Sequence, residues 1–192
     1  MLVADASVII NLNATGRASE IIQAYEGSVV VTAIAFAELV AGARNGHNDA
    51  KKLQRLVDSG TVNLVHLGDT GNAIYSSLLE GSAFSTLDDG EAATIGYAHE
   101  NGAAAMIDEK KARSICEKEF PELPVISTVD LLTHKVIETV LGKEGQIKVI
   151  INALRDARMR VPSHQIDMIV NLIGDEAAST CNSLPRAVRT LK

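Results

Sequence analysis

Four carboxylates stand at or near the places where predicted strands and helices join, and their positions indicate one kind of chemistry. The four residues are Asp5, Glu38, Glu91 and Asp108. Carboxylates brought close together repel one another, so that without a cation their pKa values would rise. Mg²⁺ or Mn²⁺ prefers such hard oxygen ligands and keeps several water molecules. A metal ion bound in this way activates water for phosphodiester hydrolysis.

The stretch from Leu87 to Arg113 shows how two of these acids could meet. A predicted helix contains Glu91 near its start, and Gly102 ends it. The apolar run Ala103–Ile107 then predicts a buried parallel strand, which Asp108 follows. A helix that precedes its strand runs antiparallel to it. We therefore expect Glu91 and Asp108 at the carboxyl edge of the sheet, where open α/β sheets bind ligands.

The first acid, Asp5, directly follows a short apolar run, Leu2–Ala4, which predicts the first strand. Ser7 comes two residues later, and Val8–Leu12 is predicted to be helical. Asp5 could therefore be a metal ligand at the strand end, or it could cap the first turn of the helix. The sequence favours neither interpretation of Asp5 taken alone.

The second acid, Glu38, lies in a nearly apolar helix that follows the predicted strand Ser28–Thr32. That helix is predicted over residues Ala33–Asn45, sequence AIAFAELVAGARN. A carboxylate is costly to bury unless it is paired or binds a metal. The alternative is that Glu38 lies on the solvent side of an Ala-rich helix. Because few polar residues surround it in the sequence, we favour the functional interpretation.

The other elements complete an alternating pattern that is typical of one α/β domain. The further predicted strands are Val62–Leu67 and Val125–Ile126. The further predicted helices are Ala18–Tyr25, Asp49–Val57, Gly68–Phe84, Glu109–Phe120, Asp130–Leu141, Gln146–Arg158 and Ser163–Ile173, with a turn at Gly142–Gly145 and Ser163 as a cap. We therefore predict a three-layer α/β fold with a central, mainly parallel sheet and a C-terminal helical extension.

Composition narrows the possible functions. The 192 residues are 46% hydrophobic, and the net charge of −6 argues against a protein that simply coats nucleic acid. RNA binding would depend on local patches, such as the basic face of Asp49–Val57. Cys116 and Cys181 lack metal-ligand spacing and are expected to be free thiols. We see neither a signal peptide nor a membrane-spanning run, and expect a cytoplasmic location.

Four segments, VADAS, AELVAG, DDGEAATIGYA and MIDEKKA, together resemble the PIN-domain family from Met1 to about Leu132. The resemblance implies a Mg²⁺- or Mn²⁺-dependent ribonuclease on a parallel sheet, and many such proteins are toxins of type II toxin–antitoxin pairs. It also implies an RNA substrate, a small antitoxin partner and a homodimer. We expect a catalytic domain at 1–141 and a helical pair at 142–176. Because residues 177–192 are mostly small and polar, we expect a mobile tail or a docking peptide there.

The resemblance assigns roles residue by residue. Asp5 matches the first acid of the family and Ser7 the hydroxyl beside it. Glu38 matches the second acid and Asp108 the fourth. The resemblance makes Asp5, Glu38 and Asp108, together with the third acid, Glu91, both metal ligands and catalytic residues.

The third acid departs from the family pattern, because Glu91 stands where Asp is usual. Asp88 or Asp89 could take its place. Ser127 or Thr128 corresponds only loosely to the family's polar residue after the last strand.

Two alternatives to a nuclease fit the sequence less well. A non-catalytic scaffold of the same fold has no physical reason to keep four mutually repelling carboxylates. A phosphatase with a nucleophilic Asp usually carries a second Asp two residues later, whereas Ser7 follows Asp5 here.

Overall fold

A parallel five-stranded sheet forms the centre of the fold in our computed structural model, which describes residues 1–43, 46, 48–80 and 86–189. The strands are β1 (Leu2–Ala4), β2 (Val29–Thr32), β3 (Asn63–Val65), β4 (Ala104–Met106) and β5 (Val125–Ile126). They pair in the order β3-β2-β1-β4-β5, and every pair is parallel. The predicted α/β class is confirmed, and each strand lies within a predicted one.

Helices connect the strands and continue after the last of them. They are α1 (Ala6–Ala14), α2 (Ala18–Ala24), α3 (Ala33–Gly42), α4 (Asp49–Asp58), α5 (Asp69–Leu79), α6 (Asp89–Glu100), α7 (Lys110–Glu119), α8 (Thr128–Thr133), α9 (Lys135–Asp156), α10 (Ile166–Ile173), α11 (Asp175–Thr180) and α12 (Arg186–Arg189). The expected helix ends at Asn45 and Phe84 lie outside the described residues.

One prediction for the C-terminal helices was wrong and another was only partly right. The helix expected over Asp130–Leu141 is divided at His134, whose backbone is extended and whose Nδ1 accepts a hydrogen bond from the N–H of Val136. The turn expected at 142–145 is limited to Gly142, whose φ of +72° and ψ of 162° interrupt the helix and leave a kink within α9.

Ser163 was predicted to cap the next helix and does not. It begins a single 3₁₀ turn, Ser163–Gln165, and α10 starts only at Ile166, after Gln165. Pro162 precedes this turn, and its side chain cannot accept a capping hydrogen bond.

The chain forms two compact units, one of residues 1–9 and 26–126, the other of residues 10–25 and 127–192. Helix α2 packs against α9 within the second unit, and the predicted domain boundaries near 141 and 176 stay predictions. The mobility predicted for the tail at 177–192 also stays a prediction. Its described part is largely helical, and Ala178, Cys181 and Leu184 are buried.

The core of the first unit is built from small and β-branched side chains. Val3, Val30 and Ala105 of the sheet cluster with apolar side chains of α6, including Ile95. Helix α6 also approaches α5 closely, because a Cβ added at Gly96 would lie 2.5 Å from the carbonyl oxygen of Gly71. Over the described ranges, every helix is too short or too polar to cross a bilayer.

Candidate metal centre

Asp5 lies at the carboxyl end of the central strand. Its N–H donates to the carbonyl oxygen of Met106 on the neighbouring strand at 3.2 Å. Its carboxylate oxygen Oδ2 accepts from the N–H and the hydroxyl of Ser7 at 3.2 and 2.7 Å. The other oxygen, Oδ1, is buried and finds no hydrogen-bond partner among the described residues. Asp5 therefore binds the first turn of α1 with one oxygen and leaves the other for a ligand.

Glu38 lies one and a half turns into α3 and points toward the start of α6. Its Oε1 accepts a hydrogen bond of 2.7 Å from the N–H of Gly90. The side chain is half-buried rather than on an open solvent face. Glu38 thus does not occupy the solvent-side position that was the alternative prediction.

Gly90 is the point at which these two carboxylates meet. A Cβ built on Gly90 would lie 2.8 Å from Cδ of Glu38 and 3.1 Å from Oδ1 of Asp5. Such a separation from Cδ is shorter than real Cβ atoms show, so any larger residue here would displace the Glu38 carboxylate. The missing side chain of Gly90 lets a helix start pack directly against two acids.

Asp88 supplies a third carboxylate from the residue that caps α6. Its Oδ1 accepts from the N–H of Glu91 at 2.9 Å. One oxygen each from Asp88, Asp5 and Glu38 can be chosen so that all three lie within 4.8 Å of one another. Among the described residues, only this group of acidic, His or Cys side chains has a geometry that could hold a metal ion.

The two other predicted acids lie nearby but outside that group of three. Glu91 is in the first turn of α6 and only 6% exposed. Asp108 is 8% exposed and follows β4 by two residues. Because Ala4 pairs with Met106, Asp5 and Asp108 leave adjacent strands at nearly the same level. The structure therefore places both acids at the carboxyl edge of the sheet without assigning them a ligand.

The structure separates the remaining candidate residues. Asp89 accepts a hydrogen bond from the Tyr75 hydroxyl and so is engaged by α5, which leaves Asp88 as the member of the carboxylate group. Ser127 caps α8 in a capping box with Asp130, and Thr128 is the first residue of that helix. From the sequence, Asp88 is only one of three acids, with Asp89 and Glu91, at the start of a predicted helix.

Burial and mutual repulsion raise the pKa values of three of the acids. Burial raises the pKa of Asp5 to about 6, with Asp88 adding to the effect and the hydrogen bond from Ser7 opposing it. Burial raises the pKa of Glu38 to about 7, although the Gly90 N–H favours the ionised form. Burial, followed by the charges of Asp88 and Asp5, raises the pKa of Glu91 to about 8.

These features fit a divalent cation. Three carboxylates converge, and the buried Asp5 Oδ1 lacks a hydrogen-bond partner in the described part of the chain. All the candidate donors are hard oxygens, which suit Mg²⁺ or Mn²⁺ rather than a softer metal. A cation here would offset the repulsion that raises the pKa values.

Comparison with protein-family models gives a match over most of the chain. A family model described as DUF3368, PIN domain, matches residues 1–175. No curated protein matches the chain.

Proposed function

The chain belongs to the PIN-domain family, and on this premise we propose that it is a Mg²⁺- or Mn²⁺-dependent endoribonuclease. PIN domains are generally nucleases that use divalent metal ions. The observation that carries the proposal is the convergence of Asp5, Glu38 and Asp88 around a buried carboxylate oxygen that accepts no hydrogen bond from any described residue. A scaffold that served only for protein contacts would gain nothing from this repulsion.

Each residue of the site has a distinct task in this proposal. Asp5, Glu38 and Asp88 hold the cation, with Glu91 and Asp108 beside them at the sheet edge. The bound ion would supply an activated water molecule and stabilise negative charge on the phosphate and the leaving oxygen. The chain's own contribution is preorganisation, because hydrogen bonds from Ser7 and Gly90 fix two carboxylates before any ligand arrives.

The phosphate backbone of RNA needs positive charge near this acidic edge. Helix α7 begins two residues after Asp108 and carries Lys110, Lys111 and Arg113. The guanidinium of Arg113 donates to the carbonyl oxygen of Ile107 at 3.1 Å, immediately before Asp108. We assign this basic first turn to phosphate contact, which compensates for the net charge of −6.

The test is cleavage of a fluorescent single-stranded RNA by purified protein with Mg²⁺, Mn²⁺ or EDTA. We expect metal-dependent cleavage by the wild type and its loss in Asp5→Asn. Asp167→Asn is the matched control, because Asp167 is an exposed acid on α10 in the other compact unit. Equal activity in Asp5→Asn and wild type, or equal activity in EDTA, would refute the assignment.

The family also motivates two further parts of the proposal, a toxin restrained by a small antitoxin and a homodimer, and the sequence motivates a third, a cytoplasmic location. Growth arrest on expression, relieved by a neighbouring gene product and absent in Asp5→Asn, tests the first. Sedimentation equilibrium tests the second, and cell fractionation tests the third. A wild type that arrests growth no more than Asp5→Asn would exclude the toxin role.

A further inference from the structure

A cavity separate from the acidic group lies at the carboxyl edge of the sheet, where β2 and β3 end. It is a cavity of about 250 Å³ lined by residues that include Thr32, Ile34, Val65, His66 and Asn72. Thr32 and Val65 are paired in the parallel register of the two strands, so the cavity opens where both strands stop. This is the edge at which Asp5 ends β1. None of the lining residues belongs to the acidic group.

Two helices connect the cavity with the acids. On α3, Ile34 lines the cavity and Glu38 is four residues later, so both lie on the same helical face. On α5, Asn72 lines the cavity and Tyr75 is three residues later. Tyr75 donates to Asp89, which adjoins both Asp88 and Gly90. Along α3 the cavity and Glu38 are thus one turn apart, about 5 Å, whereas α5 reaches Asp89, the neighbour of Asp88, through the Tyr75 side chain.

The cavity is lined by both apolar side chains and hydrogen-bonding groups. Ile34 and Val65 are partly buried aliphatic side chains, and His66 presents an exposed ring. The hydroxyl oxygen of Thr32 already accepts from the N–H of Ala35 at 3.1 Å. The polar group best placed to read a ligand is therefore the exposed amide of Asn72.

The size of the cavity and the hydrogen-bonding groups of Asn72 limit which ligand could bind. Sites for drug-sized ligands measure about 300–1,000 Å³, so this smaller cavity suits one ring system rather than a whole nucleotide. Asn72 donates through Nδ2 to the carbonyl oxygen of Leu67 at 3.4 Å. Its second N–H and its carbonyl oxygen stay available with respect to the described residues. A side-by-side donor and acceptor is the pattern with which Asn pairs with the N6 and N7 atoms of adenine, whereas guanine offers two acceptors on that edge and pyrimidines lack N7.

We propose that this cavity binds an unpaired base of the RNA next to the scissile phosphate, with adenine preferred through Asn72. The inference rests on the proposed nuclease function and names the part of the substrate that this edge reads. Sequence-specific RNA recognition generally uses unstacked bases that contact side chains on their edges and faces. The ribose and phosphate would then extend over the single turn of α3 that separates the cavity from Glu38.

The first experiment measures base binding without cleavage. Protein labelled with ¹³C in its five histidines is titrated with AMP or CMP in EDTA, and the His66 signal is assigned with His66→Gln. AMP is expected to shift the His66 signal with higher affinity than CMP. Asn72→Ala should weaken AMP binding about tenfold, as expected for loss of a bidentate base contact. Asn63→Ala is the matched control, because Asn63 is exposed on β3 and does not line the cavity.

Loss of the preference for AMP gives the strictest test. Asn72→Asp replaces the donor with a second acceptor, which repels the N7 acceptor of adenine, so AMP should lose its advantage over CMP. A His66 signal that neither nucleotide shifts, or an AMP affinity equal in Asn72→Ala and wild type, would overturn the proposal. Because Asn72 is exposed, these variants are expected to fold.

The second experiment keeps failure of the subsite distinct from failure of the nuclease proposal. Cleavage positions are mapped on an RNA with randomised bases, for the wild type, Asn72→Asp and Asn63→Ala. A wild type that cleaves with no base preference beside the cut would refute the subsite and leave the nuclease intact. A wild type that cleaves nothing but binds AMP through Asn72 would refute the nuclease and leave an adenine-binding cavity.

Discussion

Replacing Asp5 with Asn should make the metal-free protein more stable. Asp5 is 4% exposed, and burial raises the pKa of its carboxyl from 3.8 to about 6. The folded state therefore binds the Asp5 proton more tightly than the unfolded state does. The resulting loss of stability is absent below pH 3.8, grows between pH 3.8 and about 6, and is complete above that range. Asn carries no charge, so the variant avoids this loss of stability.

The magnitude follows from the size of the pKa shift. One pKa unit corresponds to about 1.36 kcal/mol, so Asp5→Asn should gain up to about 3 kcal/mol at pH 8 and about 1 kcal/mol at pH 4.5. For a chain of this length, about 3 kcal/mol corresponds to roughly 6–12 °C in Tm. These values are upper limits, because the new amide must still be buried beside Glu38.

The assay is urea and thermal unfolding in EDTA at both pH values, with Asp167→Asn as the control. The same melts with millimolar Mg²⁺ or Mn²⁺ should raise the Tm of the wild type and leave that of Asp5→Asn unchanged. The reasoning fails if Asp5→Asn is less stable than wild type at pH 8, or if its gain is the same at both pH values. It also fails if metal ions raise the Tm of both proteins equally.

The remaining predictions concern two close approaches and the pH dependence of the wild type. Gly90→Ala should abolish the metal-dependent rise in Tm, because the new methyl group displaces Glu38. Gly42→Ala should keep this rise, because its methyl group would meet no described residue within 4 Å, and calorimetric titration with Mn²⁺ compares the two variants. Gly96→Ala should lower stability by about 1–3 kcal/mol, because its methyl group would press on the carbonyl oxygen of Gly71; an unchanged urea midpoint would contradict that packing. The stability of the wild type in EDTA should fall from pH 4.5 to 8, because the pKa of Glu91 is raised to about 8 in the folded state. Mn²⁺ should reduce this fall, and a stability that rises with pH over this range would contradict the prediction.

Much of the fold could be predicted because local rules act in the same direction along the N-terminal two thirds of the chain. The β-branched run Val29–Thr32 and the apolar run Ala104–Met106 are strands in both prediction and structure. Parallel winding then brings the residues after these strands to one edge, so Asp5 and Asp108 could be placed there from spacing alone.

The choice among neighbouring acids could not be made in the same way. Asp88, Asp89 and Glu91 differ by one to three positions, and only the backbone at the start of α6 decides which carboxylate faces Asp5. The cap that Asp88 forms with the N–H of Glu91 depends on that backbone. The glycine between the acids gives no sequence signal of its role, since it acts through an absent side chain.

The C-terminal part was harder to predict for a different reason. The division at His134 and the kink at Gly142 depend on backbone conformations that the hydrophobic period does not determine. Small residues such as Ala178 and Cys181 resemble a solvated tail in composition, yet they are buried in the second compact unit.

Helix α6 is held at both ends, so the proposed site should open only when the whole helix unfolds locally. Its first turn contacts the acids, whereas at its last residue the Glu100 carboxylate accepts from the N–H groups of Gly68 and Thr70, at 2.9 and 3.1 Å. The paired helices α5 and α6 should therefore unfold locally as one unit, and their amide protons should exchange with solvent together. A cation bound at one end would then slow hydrogen exchange at the other, about 18 Å away along α6.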